Sequence, residues 1–281
     1  LEMVKGSTKP FDPEFIALRP YPGMAQVAEN VLSCIDGSEV RDSHIGCTKV
    51  QDAYSLRCIP QVHGATRENL NHLVDQLTIE INAVTDNPII LSEDKIISGG
   101  HFHGQPIAFA ADYLGIIMSE LANISERRID RLLNPLINET KPFLSVNPGV
   151  NSGLMIIQYT AAALVSENKV LAHPASVDSI PTSAYQEDHV SMGSIAARKA
   201  GKIIEHTAQV LAIEWLSAAQ AYEFVKPLKM GNGTAAAYEL LRESVPALEE
   251  DRVLAPDLRT AKDLLWNNSL FEHVERKVKL V

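Results

Sequence analysis

Between Ser152 and Leu171 the chain carries a run whose apolar residues face almost every direction: Leu154, Met155, Ile156, Ile157, Ala161, Ala162, Ala163, Leu164 and Val165. His173-Pro174 stops it, because proline disfavours the helical region for the residue before it. A helix that is apolar all round is buried between other helices, so this segment commits the chain to packed helices. The rest of the sequence supplies them. After Thr66-Arg67-Glu68-Asn69, residues Leu70, Leu73, Val74, Leu77, Ile81 and Val84 recur at steps of three and four. They place one apolar stripe on a helix that Asp86-Asn87-Pro88 ends. A second long helix is predicted from Pro106-Ile107 to Leu133, before Pro135, and an alanine-rich one from Asp188 to Tyr222. Residues 89–100 read as a loop or hairpin, with Ile96-Ile97 the most strand-like part.

Helices this long and apolar predict an elongated all-α bundle that completes its core with neighbouring chains. The expected division is an irregular, Pro- and Gly-rich segment over 1–25, a helical-bundle part over 26–225 and a C-terminal helical tail over 226–281. The tail from Pro256 reads as one short amphipathic helix and a basic end.

Charge excludes several partners. The net charge is −10, and the nearest thing to a basic run, Arg127-Arg128 with Arg131, is interleaved with Glu126 and Asp130. Nucleic acid and anionic membranes are poor partners for such a surface. No run of 18 apolar residues suggests a membrane span, and the first residues show no signal-peptide core. Cys34, Cys47 and Cys58 form no C-x-x-C pair, which fits a reducing, cytoplasmic compartment. His101-Phe102-His103 lacks further ligands at recognisable spacing, so no metal is expected.

Three polar clusters interrupt the apolar pattern. In Gln51-Asp52-Ala53-Tyr54-Ser55-Leu56-Arg57-Cys58, a helix would put Gln51, Tyr54 and Arg57 on one broad face. Arg57 could then grip a carboxylate with two parallel bonds; a capped helix start with a surface salt bridge explains the same residues. Ser98-Gly99-Gly100-His101-Phe102-His103-Gly104 suggests a turn with close backbone approach, or simply a tight loop feeding a helix. In Pro181-Thr182-Ser183-Ala184-Tyr185-Gln186-Glu187-Asp188-His189, Ser183 and Gln186 have capping-box spacing. Glu187, Asp188 and His189 suit either acid–base work or a helix N-terminus that favours acidic residues.

Taken together and in order, Val50-Gln51-Asp52-Ala53-Tyr54-Ser55-Leu56-Arg57, Thr85-Asp86-Asn87-Pro88, Gly99-Gly100-His101-Phe102-His103-Gly104, Ser125-Glu126-Arg127-Arg128, Gly149-Val150-Asn151-Ser152-Gly153 and Gln186-Glu187-Asp188-His189-Val190-Ser191-Met192 resemble the aromatic amino acid ammonia-lyase family. Six ordered motifs are far more specific than any one. The resemblance implies an all-α, long-helix bundle of the fumarase/aspartase-like lyase type, completed by oligomerisation as a homotetramer, and a carbon–nitrogen lyase activity. It is nearest to members that eliminate ammonia from L-histidine to give urocanate in histidine catabolism. By that resemblance Arg57 binds the substrate carboxylate, Gln51 and Tyr54 stand around the electrophile and substrate, and Phe102 lines the pocket. Glu187 faces the imidazole or amino group. Members acting on phenylalanine or tyrosine generally carry glutamine at that place, which favours histidine here. Tyr54 and Glu187 are therefore the expected catalytic residues, and Gln51, Arg57 and Phe102 the expected substrate-binding ones.

Two positions depart from the family, which usually has asparagine where His101 and Tyr185 stand. A larger departure concerns the family's prosthetic group, a methylidene-imidazolone formed by cyclisation of an internal Ala-Ser-Gly. That triplet is absent; Ile97-Ser98-Gly99 and Asn151-Ser152-Gly153 come nearest. The expectation is a C-terminal half of a lyase, inert alone and partnered by an N-terminal half. The alternatives are a phenylalanine or tyrosine ammonia-lyase or aminomutase, or a non-catalytic scaffold subunit of a lyase assembly.

Overall fold

The computed structural model describes residues 1–47, 49–137 and 140–281. Among these residues the chain forms eleven α-helices and one two-stranded hairpin, arranged as two compact units.

The first unit comprises Leu1–Glu68, Glu120–Ser166 and Glu205–Val281. It holds α1 (Pro13–Ala17), α2 (Pro22–Cys34), α3 (Glu39–Asp42), α4 (Tyr54–Arg57), α9 (Asn232–Arg242), α10 (Ala255–Trp266) and α11 (Ser269–Glu275). It also takes parts of four longer helices: α5 (Ile59–Ile81), α6 (Gln105–Leu133), α7 (Met155–Leu171) and α8 (Gly193–Tyr222). Its main core packs Ile129 and Leu133 of α6, Ile157 and Ala161 of α7, Val210 and Ile213 of α8 and Leu241 of α9. Each fully buried aliphatic side chain of this kind contributes about 1.5–3 kcal/mol.

A smaller core joins Phe11, Ile16, Met24 and Ala28. Asp12 starts α1 by accepting the N–H groups of Glu14 and Phe15, and Pro13 and Pro22 stand at helix starts, where their missing N–H costs nothing. Helices α2 and α5 touch backbone to backbone: a Cβ on Gly64 would lie 2.7 Å from Met24 Cα, and one on Gly23 2.6 Å from the Gly64 carbonyl oxygen. Glu68 uses the same contact to accept the otherwise unpaired Gly23 N–H at 2.5 Å. Between α9 and α10 the backbone is non-helical, and Gln220 of α8, only 3% exposed, braces it. Its Oε1 accepts the Leu248 N–H and its Nε2 donates to the Leu248 carbonyl, both at 2.9 Å.

The second unit comprises Asn69–Ser119 and Glu167–Ile204. It contains the rest of α5 to α8 and the hairpin of β1 (Ile89–Ser92) and β2 (Lys95–Ile97), paired Ile89 to Ile97 and Ile90 to Ile96. Its core is small: Leu73, Ala110 and Ile117, with Leu70 and Leu114 packed against them.

Several sequence expectations shift. Helix α5 begins at Ile59 and ends at Ile81, ahead of the Asn87-Pro88 stop, because Asn82 turns its amide back onto the Thr78 carbonyl at 2.7 Å. Its apolar stripe is covered at Leu73, whereas Val74, Ile81 and Val84 are exposed. Helix α7 is likewise not surrounded within this chain: Ile157, Ala161 and Asn168 are buried, while Ile156, Tyr159 and Val170 are exposed. Helix α8 starts at Gly193 rather than Asp188, so Glu187 lies in a loop and not in a helical turn. The tail forms two helices, broken where Asn268 adopts φ 63°.

Helix α6 is long and apolar enough by composition to cross a membrane. It also buries Ala108, Ala122, Ile129 and Leu133 inside the protein, together with the paired charges Asp112 and Arg128 described below, as a core helix does.

Candidate active site

In the first unit the expected residues gather at α4. Buried Leu56 anchors this single turn, and Ala53 precedes it in extended backbone. Arg57 donates through Nε to the Asp52 carbonyl at 2.9 Å, and its guanidinium lies 4.3 Å from the centre of the Tyr54 ring. The phenol and the guanidinium are thus held together by a cation–π contact, and the Nη groups of Arg57 remain for a second acceptor. The Tyr54 side chain is exposed. Gln51 lies outside the helical turn, so the shared helical face expected of Gln51, Tyr54 and Arg57 is formed by Tyr54 and Arg57 only. Gln51 instead lines a cleft of about 860 Å³ with Asp52, Leu56, Lys49, Arg131 and Lys141. Asp52 is fixed there by the Ser7 N–H at 2.7 Å.

In the second unit, Phe102 and Glu187 sit on two loops that touch through their neighbours. His103 stacks on His189 with ring centroids 5.5 Å apart and planes 3° from parallel, and His103 Nε2 lies 3.2 Å from the His189 carbonyl oxygen. Phe102 is exposed. The capping box expected of Ser183 and Gln186 is not formed. Thr182 and Glu187 instead close a loop on each other: the Thr182 N–H donates to the Glu187 carbonyl at 2.9 Å, and the Glu187 N–H to the Thr182 carbonyl at 3.3 Å. The Thr182 hydroxyl also donates to Glu187 Oε2 at 2.5 Å. Between them Ser183, Ala184 and Tyr185 have φ of 50°, 52° and 68°. Three consecutive side-chain-bearing residues in the left-handed region cost about 1–2 kcal/mol each, and such strain concentrates where a site demands it.

The loop is tied to the long helices by groups the sequence did not flag. Asp112 of α6, 6% exposed, accepts the Ser176 N–H at 2.7 Å and pairs with Lys199 of α8 at 3.3 Å. Lys199 also donates to the His173 carbonyl, and Gln105 to that of Ser176. Burial would raise the Asp112 carboxyl, but the Ser176 hydrogen bonds and Lys199 outweigh it and hold it below the usual carboxylate range.

A second ionic cluster lies in the first unit. Arg128 grips Glu214 through Nε and Nη2, and Ser125 donates to Glu214 Oε2 at 2.6 Å. Arg128 Nη1 lies 3.2 Å from His63 Nε2. Arginine only donates, so His63 Nε2 accepts and its proton sits on Nδ1. Burial and the adjacent guanidinium lower His63 to about 4, while Arg128 keeps Glu214 below its ordinary value despite desolvation. The sequence signal for this cluster was the Arg127-Arg128 pair, which reads as a solvated face; one turn geometry cannot tell which arginine points inward.

Among the described residues no three of His, Cys, Asp and Glu gather as metal ligands.

A family model described as aromatic amino acid lyase matches residues 1–243. The chain is 51% identical over 282 residues to a histidine ammonia-lyase of Alkaliphilus metalliredigens, covering 100% of this chain and 55% of that protein. The crystal structure of histidine ammonia-lyase from Trypanosoma cruzi matches with a TM-score of 0.90 at 42% identity, over 99% of this chain and 52% of that one. Tyrosine aminomutase from Streptomyces globisporus matches with a TM-score of 0.92 at 36% identity, over 100% and 58%. The chain spans about half the length of the curated relatives it matches. A match over most of the chain, joined to a mostly helical fold shared with these lyases and aminomutases, places it: this chain belongs to the aromatic amino acid lyase family.

Proposed function

We propose that this chain forms part of an ammonia-lyase that eliminates ammonia from L-histidine to give urocanate. The observation that carries this reading is the 51% identity, over the whole chain, to a histidine ammonia-lyase. Glu187 supports it chemically, because a carboxylate can accept a hydrogen bond from a ring nitrogen that a phenyl group lacks. In this reading Arg57 binds the substrate carboxylate, and its contact with Tyr54 sets the phenol beside the bound amino acid. Gln51 stands around the electrophile and substrate in the assembled enzyme, Phe102 lines its substrate pocket, and Glu187 receives the imidazole or the amino group.

The family's methylidene-imidazolone does not fit onto this chain. Neither nearest triplet begins with alanine, and both are engaged elsewhere. The Ser98 hydroxyl and Gly99 N–H donate to Asn87 Oδ1, and the Ser152 and Gly153 N–H groups to the Asp251 carboxylate. The electrophile therefore comes from a companion segment of the lyase, and this chain alone turns over no histidine. The exposed apolar residues of α5 and α7 are what assembly with that segment, and into a tetramer, would cover. The assembled enzyme is cytoplasmic.

The structural match to a tyrosine aminomutase favours one competing reading, a lyase or aminomutase of phenylalanine or tyrosine. Steady-state assays of the lyase that contains this chain separate the two. We expect turnover of L-histidine to urocanate, and Glu187→Gln to lower kcat/KM for histidine by about tenfold to a hundredfold, the cost of taking the charge from the acceptor and leaving at best a neutral hydrogen bond. Cinnamate or coumarate as the faster product would overturn the histidine reading.

A further inference from the structure

The carboxylate of Glu187 is not a free side chain on a loop. Its backbone is pinned at both N–H and C=O by Thr182, and the Thr182 hydroxyl holds Oε2. No described residue donates to Oε1. Farther along, the Val190 N–H donates to Ser179 Oγ at 2.9 Å, and His189 is stacked on His103. The loop is therefore closed at its base by Thr182 and fixed beyond Glu187 on two sides, while the carboxylate keeps one acceptor oxygen for a ligand.

We propose that Thr182 is the positioning residue for substrate choice. Its hydroxyl fixes the rotamer of Glu187 through Oε2 and presents Oε1 as the acceptor for a substrate N–H. This rests on the reading of Glu187 as the group that meets the imidazole or amino group. A freely rotating carboxylate would have to be ordered anew for each substrate; one already held by a hydroxyl is ordered beforehand. The methyl group of threonine and the left-handed turn over Ser183–Tyr185 leave the hydroxyl little choice of partner.

The test is a double-mutant cycle on kcat/KM for L-histidine in the lyase that contains this chain, with thermal unfolding of each variant measured alongside. Thr182→Val keeps the shape and both backbone bonds but removes the donor. We expect a loss of about tenfold to a hundredfold, mostly in KM if Glu187 meets the ground state and mostly in kcat if it meets the transition state. Thr182→Ser should recover most of that loss. In a Glu187→Gln background, Thr182→Val should cost less than threefold further. An equal loss in both backgrounds, or no recovery by serine, would sink the positioning role while leaving Glu187 in place. A Glu187→Gln variant that turns over histidine normally would locate the failure in the reading of Glu187 itself. Should Thr182→Val unfold, Thr182→Ala serves as the donor-free variant and Thr182→Cys, a poorer donor than serine, as the intermediate point: a loss for cysteine between those of serine and alanine supports the role, and a loss equal to serine overturns it.

Discussion

Lys199 and Asp112 stand 3.3 Å apart on α8 and α6, and each also holds backbone at the start of the Glu187 loop: Lys199 the His173 carbonyl, Asp112 the Ser176 N–H. The pair is a clasp on a segment that has no α-helix between Ala172 and Met192. Replacing Asp112 by Asn removes the charge that Lys199 faces. We expect amide exchange over residues 172–192 to speed up by about tenfold or more, a local cost of roughly 1–3 kcal/mol. The pH dependence follows from the depressed carboxyl. The clasp is fully present above the ordinary value of 3.8 and is lost only as pH falls through the lower folded value. Exchange rates at 172–192 that stay flat in the Asp112→Asn variant would show that the pair orders nothing.

His63 predicts a pH dependence at a higher window. Its folded value of about 4 lies below the ordinary 6.5, so between these limits the unfolded chain binds a proton that the folded one refuses. Stability therefore falls as pH drops from 6.5 towards 4, by up to about 3 kcal/mol. Protonation would take away the acceptor that Arg128 Nη1 uses and set two cations side by side, with Glu214 only partly offsetting them. Urea midpoints measured across this range should slope in the parent chain and flatten in His63→Leu. A parent curve without slope would show that His63 titrates normally.

The crossing of α2 and α5 gives the third prediction. A methyl group on Gly64 would lie 2.7 Å from both Met24 N and Met24 Cα. These are backbone atoms and cannot rotate away, so Gly64→Ala must push the helices apart. The expected cost is about 1–3 kcal/mol, despite alanine's better helix propensity. A variant as stable as the parent in thermal unfolding would mean that the two helices part easily.

Much of the fold is legible in the sequence because long periodic segments leave few options. Helices α6 and α8 follow from long runs with one internal glycine each and no proline beyond the first turn, and the hairpin from the short β-branched pair Ile96-Ile97. What escapes is local and depends on neighbours. Ser183-Ala184-Tyr185 contains no glycine or asparagine, so nothing in it signals a left-handed turn; that conformation exists because Thr182 and Glu187 bond to each other across it. Capping-box spacing at Ser183 and Gln186 points to a helix start there, and the reciprocal bridge overrides it. The contact between Arg57 and Tyr54 is legible from spacing because they share one helical turn, whereas Gln51 precedes that turn and its direction is set by the loop. Asp112 and Lys199 are 87 residues apart by their numbering and meet only once two helices are packed. No pattern within one segment encodes such a pair.

Gln220 lends a helical unit one rung of a sheet ladder. Its amide offers Leu248 the same donor and acceptor that a neighbouring strand would, and both are used. Glutamate at this position would turn an oxygen towards the Leu248 carbonyl, lysine would leave the Leu248 N–H unanswered, and asparagine is one methylene short. At Leu248 the linker from α9 to α10 thus answers to one side chain, and the genetic alternatives to that side chain are close to none.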